Sequence, residues 1–342
     1  MTIALDATYS LGRNLSGVGV YSREMLYGLA QAHAQEDFLF CYRPHRFLRA
    51  FRERLPQNAR RRLLMGAPPG DLFHALNQRV DARARRTVAT FHDLFVMTGE
   101  YSSPEFRARL AEQARHAAAR SDRIIAVSRF TATQVEELLG VPTSRICVVP
   151  HGVHTPATAG TGSDPLRENL VLFTGAIQRR KNIARLVRAF EHMPSSWRLA
   201  LAGAANGYGA AEEIRAVEES PRRSDIEVLG YVPAADLENL YLRARIFAFP
   251  SLDEGFGMPV LEAMAHGVPV ITSTTSALPE VAGDAALLVD PKDTDALAAA
   301  LLRLAADDSL RDELARRGLD RARQFTWESA VARTWEIYQE LK

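Results

Sequence analysis

The chain has 342 residues, 47% of them hydrophobic and 24% charged, with a net charge of +1. That length suits two domains of ordinary size, and the composition is that of a globular protein rather than a disordered or fibrous one. No apolar run is long enough to span a bilayer and no basic-then-apolar leader opens the sequence. Cys41 and Cys147 show neither metal-like nor paired spacing. Together these features predict a reduced, cytoplasmic protein. The charge is divided unevenly. Residues 1–150 hold 21 Arg and no Lys against 14 acids, or +7, and residues 151–342 hold 18 Arg and 3 Lys against 27 acids, or −6. A basic first half predicts an anionic partner there.

The strand "TIALDA" (2–7) opens the chain, and the glycines of "SGVGVYS" predict a loop before a helix from about Tyr21. Further buried strands are predicted at 37–43, 71–76, 87–94 and 123–128, and "RICVVPHGV" (145–153) closes the half. The stretch 43–62 carries eight Arg and one Glu, with Phe47, Leu48, Phe51 and Leu55 on one face if helical. It is read equally as a solvated helix or as an interfacial one lying on an anionic membrane. "TPATAGTGSDP" (155–165) has no periodicity and predicts a linker. Strands then resume at 169–176, 198–204, 226–232, 245–251, 268–273 and 285–290, with helices between. The expected domains are 1–154, Rossmann-like, and 166–325, with a final helix over 326–342 packing back on the first. The fold class is α/β: two doubly wound parallel sheets facing a central cleft, with ligands beyond the carboxyl ends of the strands.

"EGFGMPVLE" sets Glu254 on the loop leaving a strand and Glu262 eight residues on, in the first turns of a helix. Pro259 suits that first turn, and Gly267 suits the helix end. Gly255 and Gly257 let backbone amides approach a ligand, while the helix N-terminus favours an anion. Either acid alone reads as a surface or helix-start carboxylate. The set together predicts a ligand with hydroxyls at both ends and phosphates between. In "QRRKN", Lys181 and Arg180 follow a strand and Gly175, a setting for phosphate oxygens, against the usual reading of a solvated charge run. Gly17 and Gly19 lack the third glycine of a dinucleotide fingerprint, so that signal is weak. His92 and Asp93 follow the strand "TVATF", a place for a site histidine, although a lone His is more often structural. Asp293 and Asp295 look like a metal-binding D-x-D, but they precede a helix, where capping is the better reading.

The segment "PSLDEGFGMPVLEAMAHGVPVITS" resembles the E-x7-E region of retaining glycosyltransferases of the GT-B fold, family 4. "TGAIQRRKNIARLVRAF", "VLGYVPAADLENLYLRA", "FTWESAVARTWEIYQEL", "SGVGVY", "VATFHDL", "RIIAVSRFTATQVEELLGV" and "VVPHGV" also match, so the resemblance covers nearly the whole chain. It implies a hexosyltransferase without cofactor or metal, and without nucleic acid as a partner. The first domain would serve a glycan or lipid-linked acceptor and the second a nucleotide-sugar donor. Glu254 would approach the donor sugar and Glu262 the ribose. The amides of Phe256, Gly257 and Met258 would approach the sugar, and those after Pro259, Val260 first, the diphosphate. Gly175 and Tyr231 would line the donor site, and Lys181 and Arg180 the diphosphate. The Gly17–Gly19 loop would cover the phosphates beside the acceptor, and His92 would meet the transferred sugar; Asp93 is read as orienting either His92 or an acceptor hydroxyl. Ala176 departs from the family pattern, in which many members carry Arg after the glycine. The opening "LDATYS" and "QRRKN" look most like bacterial mannosyltransferases of polysaccharide assembly, which makes GDP-mannose the first candidate donor. A same-fold epimerase or sugar phosphorylase, a glycosidase using both glutamates and a non-catalytic nucleotide-binding protein are the rivals.

Overall fold

The computed structural model describes residues 1–12, 14–68, 70–81, 84–156 and 167–342. Most of the predicted linker, residues 157–165, therefore lies outside the described residues. The chain divides into two units: Met1–Thr98 with Pro104–Gly152 and Phe325–Lys342, and Gly99–Ser103 with Val153–Gln324.

The first unit runs β1 (Thr2–Asp6), α1 (Gly17–Ala32), β2 (Asp37–Tyr42), α2 (Pro44–Ala50), β3 (Ala59–Leu63), β4 (Leu72–Ala75), β5 (Thr87–Phe91), α3 (Phe95–Thr98), α4 (Pro104–Arg120), β6 (Arg123–Ala126), α5 (Arg129–Leu139) and β7 (Ile146–Val148). The strands form one sheet in the order β3-β2-β1-β4-β5-β6-β7, all pairs parallel. Chain order reverses between β1 and β4, the switch point where doubly wound sheets place ligands. β4 and β5 are buried along their whole length, because helices cover both faces of such a sheet.

The second unit restarts the pattern with β8 (Glu168–Thr174), α6 (Ile183–Phe190), β9 (Arg198–Ala202), α7 (Ala210–Glu218), β10 (Ile226–Gly230), α8 (Ala234–Arg243), β11 (Ala244–Phe249), α9 (Met258–Ala265), β12 (Val270–Ser273), α10 (Leu278–Ala282), β13 (Ala286–Val289), α11 (Thr294–Ala306) and α12 (Asp308–Ala322). Its parallel sheet has the order β10-β9-β8-β11-β12-β13, reversing between β8 and β11. The last helix, α13 (Trp327–Glu340), belongs to the first unit, starting from a Thr326 cap whose hydroxyl accepts from the Ser329 amide. Asp293 likewise accepts from the Ala296 amide, so it caps α11.

Two expectations are corrected. The helix after β1 starts at Gly17 rather than about Tyr21, because the Ser16 hydroxyl accepts from the Gly19 amide and caps it. Gly17 and Gly19 are thus in the first turn of α1 and not in a preceding loop. Nor is the stretch 43–62 one helix: only Pro44–Ala50 is helical, and Ala59–Leu63 forms the edge strand β3. Pro56 interrupts any helical run, and the Asn58 side chain donates to the carbonyls of Ala30, His33 and Glu36, anchoring the turn into the strand. An arginine-rich strand at a sheet edge discourages pairing with another chain. Arg43 is not a surface residue either, since it is buried and paired with Asp6 at 3.0 Å.

In the first unit, Gly152 approaches the start of α13 so closely that an added Cβ would lie 2.2 Å from the Trp327 nitrogen. Gly152→Ala should destabilise the protein by about 1–3 kcal/mol, the usual range for overpacking against backbone. Thermal denaturation checks this, and an unchanged midpoint would show that α13 can shift without cost.

Candidate active site

At the β8 end of the second sheet, the chain passes through Gly175 (φ 128°), reaches the 3-10 turn Arg179–Lys181, and enters α6 after Asn182. Asn182 adopts a left-handed conformation (φ 61°), which asparagine tolerates better than most residues. Its side-chain amide donates to the carbonyls of Pro250 at 2.9 Å and Pro291 at 2.7 Å. It thus pins the turn to the loop leaving β11. The Leu252 amide donates to the Arg180 carbonyl, and the Arg180 guanidinium donates to the Asp253 carbonyl. Gly203 sits so close to Gly175 that a Cβ there would fall 1.8 Å from the Gly175 oxygen.

Between these two loops lies an ionic cluster. Lys181 Nζ donates to Glu254 Oε1 at 2.5 Å, and Arg180 approaches Oε2 at 2.9 Å. The Ser251 hydroxyl also donates to Oε1, at 2.5 Å. Lys181, Arg180 and Glu254 are 7%, 8% and 8% exposed, and the Lys181 ammonium stands 4.6 Å from the centre of the Phe249 ring. Burial works against ionisation of Glu254, but Arg180 and Lys181, helped by the Lys181 and Ser251 hydrogen bonds, outweigh it and hold the carboxyl at about 2. The sequence reading has Glu254 as a loop carboxylate serving a ligand. In the structure it is also the counter-ion of both cations.

Gly255, Phe256 and Gly257 follow, all buried, and Gly257 (φ 108°) immediately precedes α9. Only glycine takes that backbone conformation without strain. Met258 opens α9 half-buried. The Val260 side chain is fully buried and its amide donates to the Gly257 carbonyl at 2.9 Å, so Val260 serves packing and the tight helix start. Glu262 lies one turn further on, half-buried, where its Oε2 accepts from the Tyr241 hydroxyl at 2.9 Å. Burial raises its pKa, opposed by the Tyr241 hydrogen bond. Tyr231, just past β10, is 47% exposed.

The first unit holds a second group. His92 follows β5, and its Nε2 donates to the Leu76 carbonyl at 3.0 Å. The His92 ring packs edge-on to Tyr21 (centroids 4.8 Å apart) and stacks on His151 (5.3 Å). Burial lowers its pKa to about 4, against the Leu76 hydrogen bond, so the ring is neutral near pH 7. With Nε2 carrying the proton, Nδ1 is the acceptor. Asp93 is half-buried, and its carbonyl accepts from the Gln78 side chain at 3.1 Å. Gly17 is exposed, whereas Gly19 is buried where a Cβ would lie 2.9 Å from the Tyr9 carbonyl oxygen. Ser251, Asn182, Tyr241 and His151 were not singled out from the sequence. Each lies inside a matched motif, but only the fold shows what it touches.

Two Rossmann-like units, one bearing a buried cation–carboxylate cluster at its switch point, define a transferase of the GT-B class. The model of "Glycosyltransferase Family 4" matches residues 15–156, and that of "Glycosyl transferases group 1" matches residues 162–321. The chain is 36% identical over 281 residues to O-antigen chain mannosyltransferase B of Escherichia coli, covering 78% of this chain and 74% of that one. It is 33% identical over 270 residues to a D-inositol 3-phosphate glycosyltransferase of Xylanimonas cellulosilytica, covering 74% of this chain and 64% of that one. Among solved structures, sucrose-phosphate synthase from Thermosynechococcus elongatus superposes with a TM-score of 0.78 at 22% identity, covering 100% of this chain and 99% of that one. The chain belongs to the family 4 glycosyltransferases of the GT-B fold.

The ionic cluster has a direct consequence for stability. Glu254→Ala leaves two buried cations without their counter-ion and should destabilise the protein by about 3–5 kcal/mol at neutral pH. Because the folded pKa is depressed, the wild-type contribution is complete above about 4.5 and fades as pH falls through about 2. The stability gap between wild type and mutant should therefore be constant above pH 5 and narrow below it. A gap that does not change down to pH 2.5 would contradict the assignment.

Proposed function

We propose that the protein transfers a hexose, mannose first, from a nucleoside diphosphate sugar to a glycan or lipid-linked acceptor in surface polysaccharide assembly. The transfer retains the anomeric configuration and needs no bound metal. The observation that carries this reading is the cluster of Lys181, Arg180 and Glu254 beside the N-terminus of α9. Two cations held beside a helix N-terminus are a combination suited to a diphosphate. The mannosyl donor is supported by the name of the 36% identical relative.

In this reading the bond from the anomeric carbon to the diphosphate oxygen breaks as negative charge develops on the leaving group. Lys181, Arg180 and the α9 N-terminus stabilise that charge. The acceptor oxygen bonds to the anomeric carbon from the same face, and its proton passes to the departing diphosphate oxygen. Glu254 keeps both cations in place and presents its carboxylate to the sugar hydroxyls, and Glu262 holds the ribose. His92, neutral, accepts a hydrogen bond from a hydroxyl of the transferred sugar through Nδ1 and is not a general acid at neutral pH. Asp93 serves the acceptor. A glycosidase using Glu254 is disfavoured, since a carboxylate clamped by two cations is neither a free acid nor a free nucleophile. Turnover of a nucleotide sugar would exclude a non-catalytic nucleotide-binding role.

Assay with GDP-mannose and a mannose-terminated acceptor should give a product with the donor's anomeric configuration by proton NMR, in the presence of chelator. An inverted product, or activity abolished by chelation and restored by magnesium, would contradict the proposed route.

A peripheral membrane contact fits the same reading, because no helix among the described residues is long and apolar enough to cross a membrane. Leu48, Phe51 and Met65 are 82%, 61% and 68% exposed, and Arg49 and Arg52, next to Leu48 and Phe51 in the chain, are exposed as well. Each basic residue near an anionic surface contributes about 1 kcal/mol. Binding to anionic vesicles should fall steeply with salt and weaken when Arg46, Arg49 and Arg52 become Ser. Equal sedimentation with neutral vesicles would remove the electrostatic contact.

A further inference from the structure

Tyr241 on α8 is 2% exposed, although it carries a hydroxyl that must find partners in the interior. It has two. The hydroxyl lies 2.9 Å from Glu262 Oε2 on α9 and 3.0 Å from Thr174 Oγ1 at the end of β8. An ionised carboxylate can only accept, so the Tyr241 proton is committed to Glu262, and the Thr174 hydroxyl must then donate to the Tyr241 oxygen. The result is a directed chain from Thr174 to Tyr241 to Glu262. It starts at the residue preceding Gly175 and ends on the carboxylate proposed to hold the ribose.

The ring is fixed as firmly as the hydroxyl. His266, the residue that caps the C-terminus of α9 one turn beyond Glu262, stacks on it with centroids 4.8 Å apart and planes at 22°. Phe247 of β11 closes another side at 5.8 Å. His266 Nδ1 donates to the Glu262 carbonyl at 2.7 Å, so the group that clamps the tyrosine also fixes the backbone of the glutamate. Deleting the hydroxyl would leave this packing intact and remove only the two hydrogen bonds. A residue that served packing alone would need no hydroxyl at this depth, where leaving one unpaired is costly.

We infer that Tyr241 is a positioning residue for nucleotide recognition: it aims the Glu262 carboxylate at the ribose hydroxyls and ties that carboxylate to the phosphate-binding loop through Thr174. The inference rests on the proposed role of Glu262. Burial favours the neutral form of Glu262 and the tyrosine hydrogen bond favours the charged form. The hydroxyl therefore keeps the stronger acceptor available to the ligand.

The test compares Tyr241→Phe with wild type, using GDP, UDP and their 2′,3′-dideoxy analogues in calorimetric titration. Wild type should bind one ribonucleotide more tightly than its dideoxy analogue. Tyr241→Phe should weaken the ribonucleotide roughly ten- to hundredfold, as expected for losing a hydrogen bond to a charged group. It should leave the dideoxy analogue nearly unchanged. In turnover assays KM for the donor should rise with little change in kcat, because the ribose is remote from the bond that breaks. Thr174→Val, which breaks the chain one step earlier and keeps the tyrosine, should give a smaller effect of the same kind. If wild type discriminates against the dideoxy analogue but Tyr241→Phe does so equally, the role of Tyr241 is refuted while that of Glu262 stands. If wild type does not discriminate, or binds neither nucleotide, the Glu262 reading fails and the inference with it. Equal weakening of both ligands would mark Tyr241 as a packing residue only.

Discussion

The second unit is organised around one carboxylate held between two cations. Charged groups this far from water are tolerated only when their geometry is nearly complete, since desolvation can outweigh a single Coulomb contact. Glu254 meets that demand with both oxygens engaged, by Lys181, Arg180 and the Ser251 hydroxyl. The surrounding backbone is built to the same end. Asn182 ties the cation-bearing turn to Pro250 and Pro291, while the Arg180 carbonyl receives the Leu252 amide. Two loops more than 70 residues apart in sequence thus become one rigid element.

Sheet topology makes this meeting possible. β8 and β11 are parallel neighbours across the point where strand order reverses, so the loops leaving their carboxyl ends emerge side by side. Phe173 and Phe249, the last apolar residues of the two strands, stack at 5.7 Å directly beneath, giving the cluster a dry floor. In the first unit β4 and β5 do the same for His92. Its Nε2 donates to the Leu76 carbonyl just past β4, and the Tyr21 ring packed against it hydrogen-bonds Thr90 of β5. The buried His74 continues the network from Thr90 to the Tyr338 hydroxyl on α13. The Leu76 carbonyl fixes the tautomer of His92, since only a protonated Nε2 can donate to it.

The fold class was legible because apolar runs alternating with helical periodicity leave little freedom in a chain of this composition. The motif around Glu254 and Glu262 was legible because glycines, proline and acids each had a local reason to be there. Much of what escaped depends on a partner distant in sequence. Glu254 reads as a ligand-facing loop acid until Lys181 and Arg180 are seen beside it. Tyr241 reads as one more apolar position of an amphipathic helix, since its hydroxyl has no partner nearby in the chain. The strand Ala59–Leu63 was missed because an edge strand armed with arginines lacks the apolar alternation that marks a strand. The early start of α1 was hidden by its glycines, which read as loop although the Ser16 cap makes them helix.

The central claim is that Lys181 and Arg180, held by Glu254, form the diphosphate site. It is tested most directly by comparing GDP with GMP in calorimetric titration of wild type and Lys181→Ala. The account predicts that wild type binds GDP more tightly than GMP, and that Lys181→Ala loses most of this difference while its affinity for GMP changes little. Removing one charged contact to a phosphate should cost roughly 1.5–3 kcal/mol, about a ten- to hundredfold loss in GDP affinity. An undiminished preference for GDP in a folded Lys181→Ala protein would contradict it.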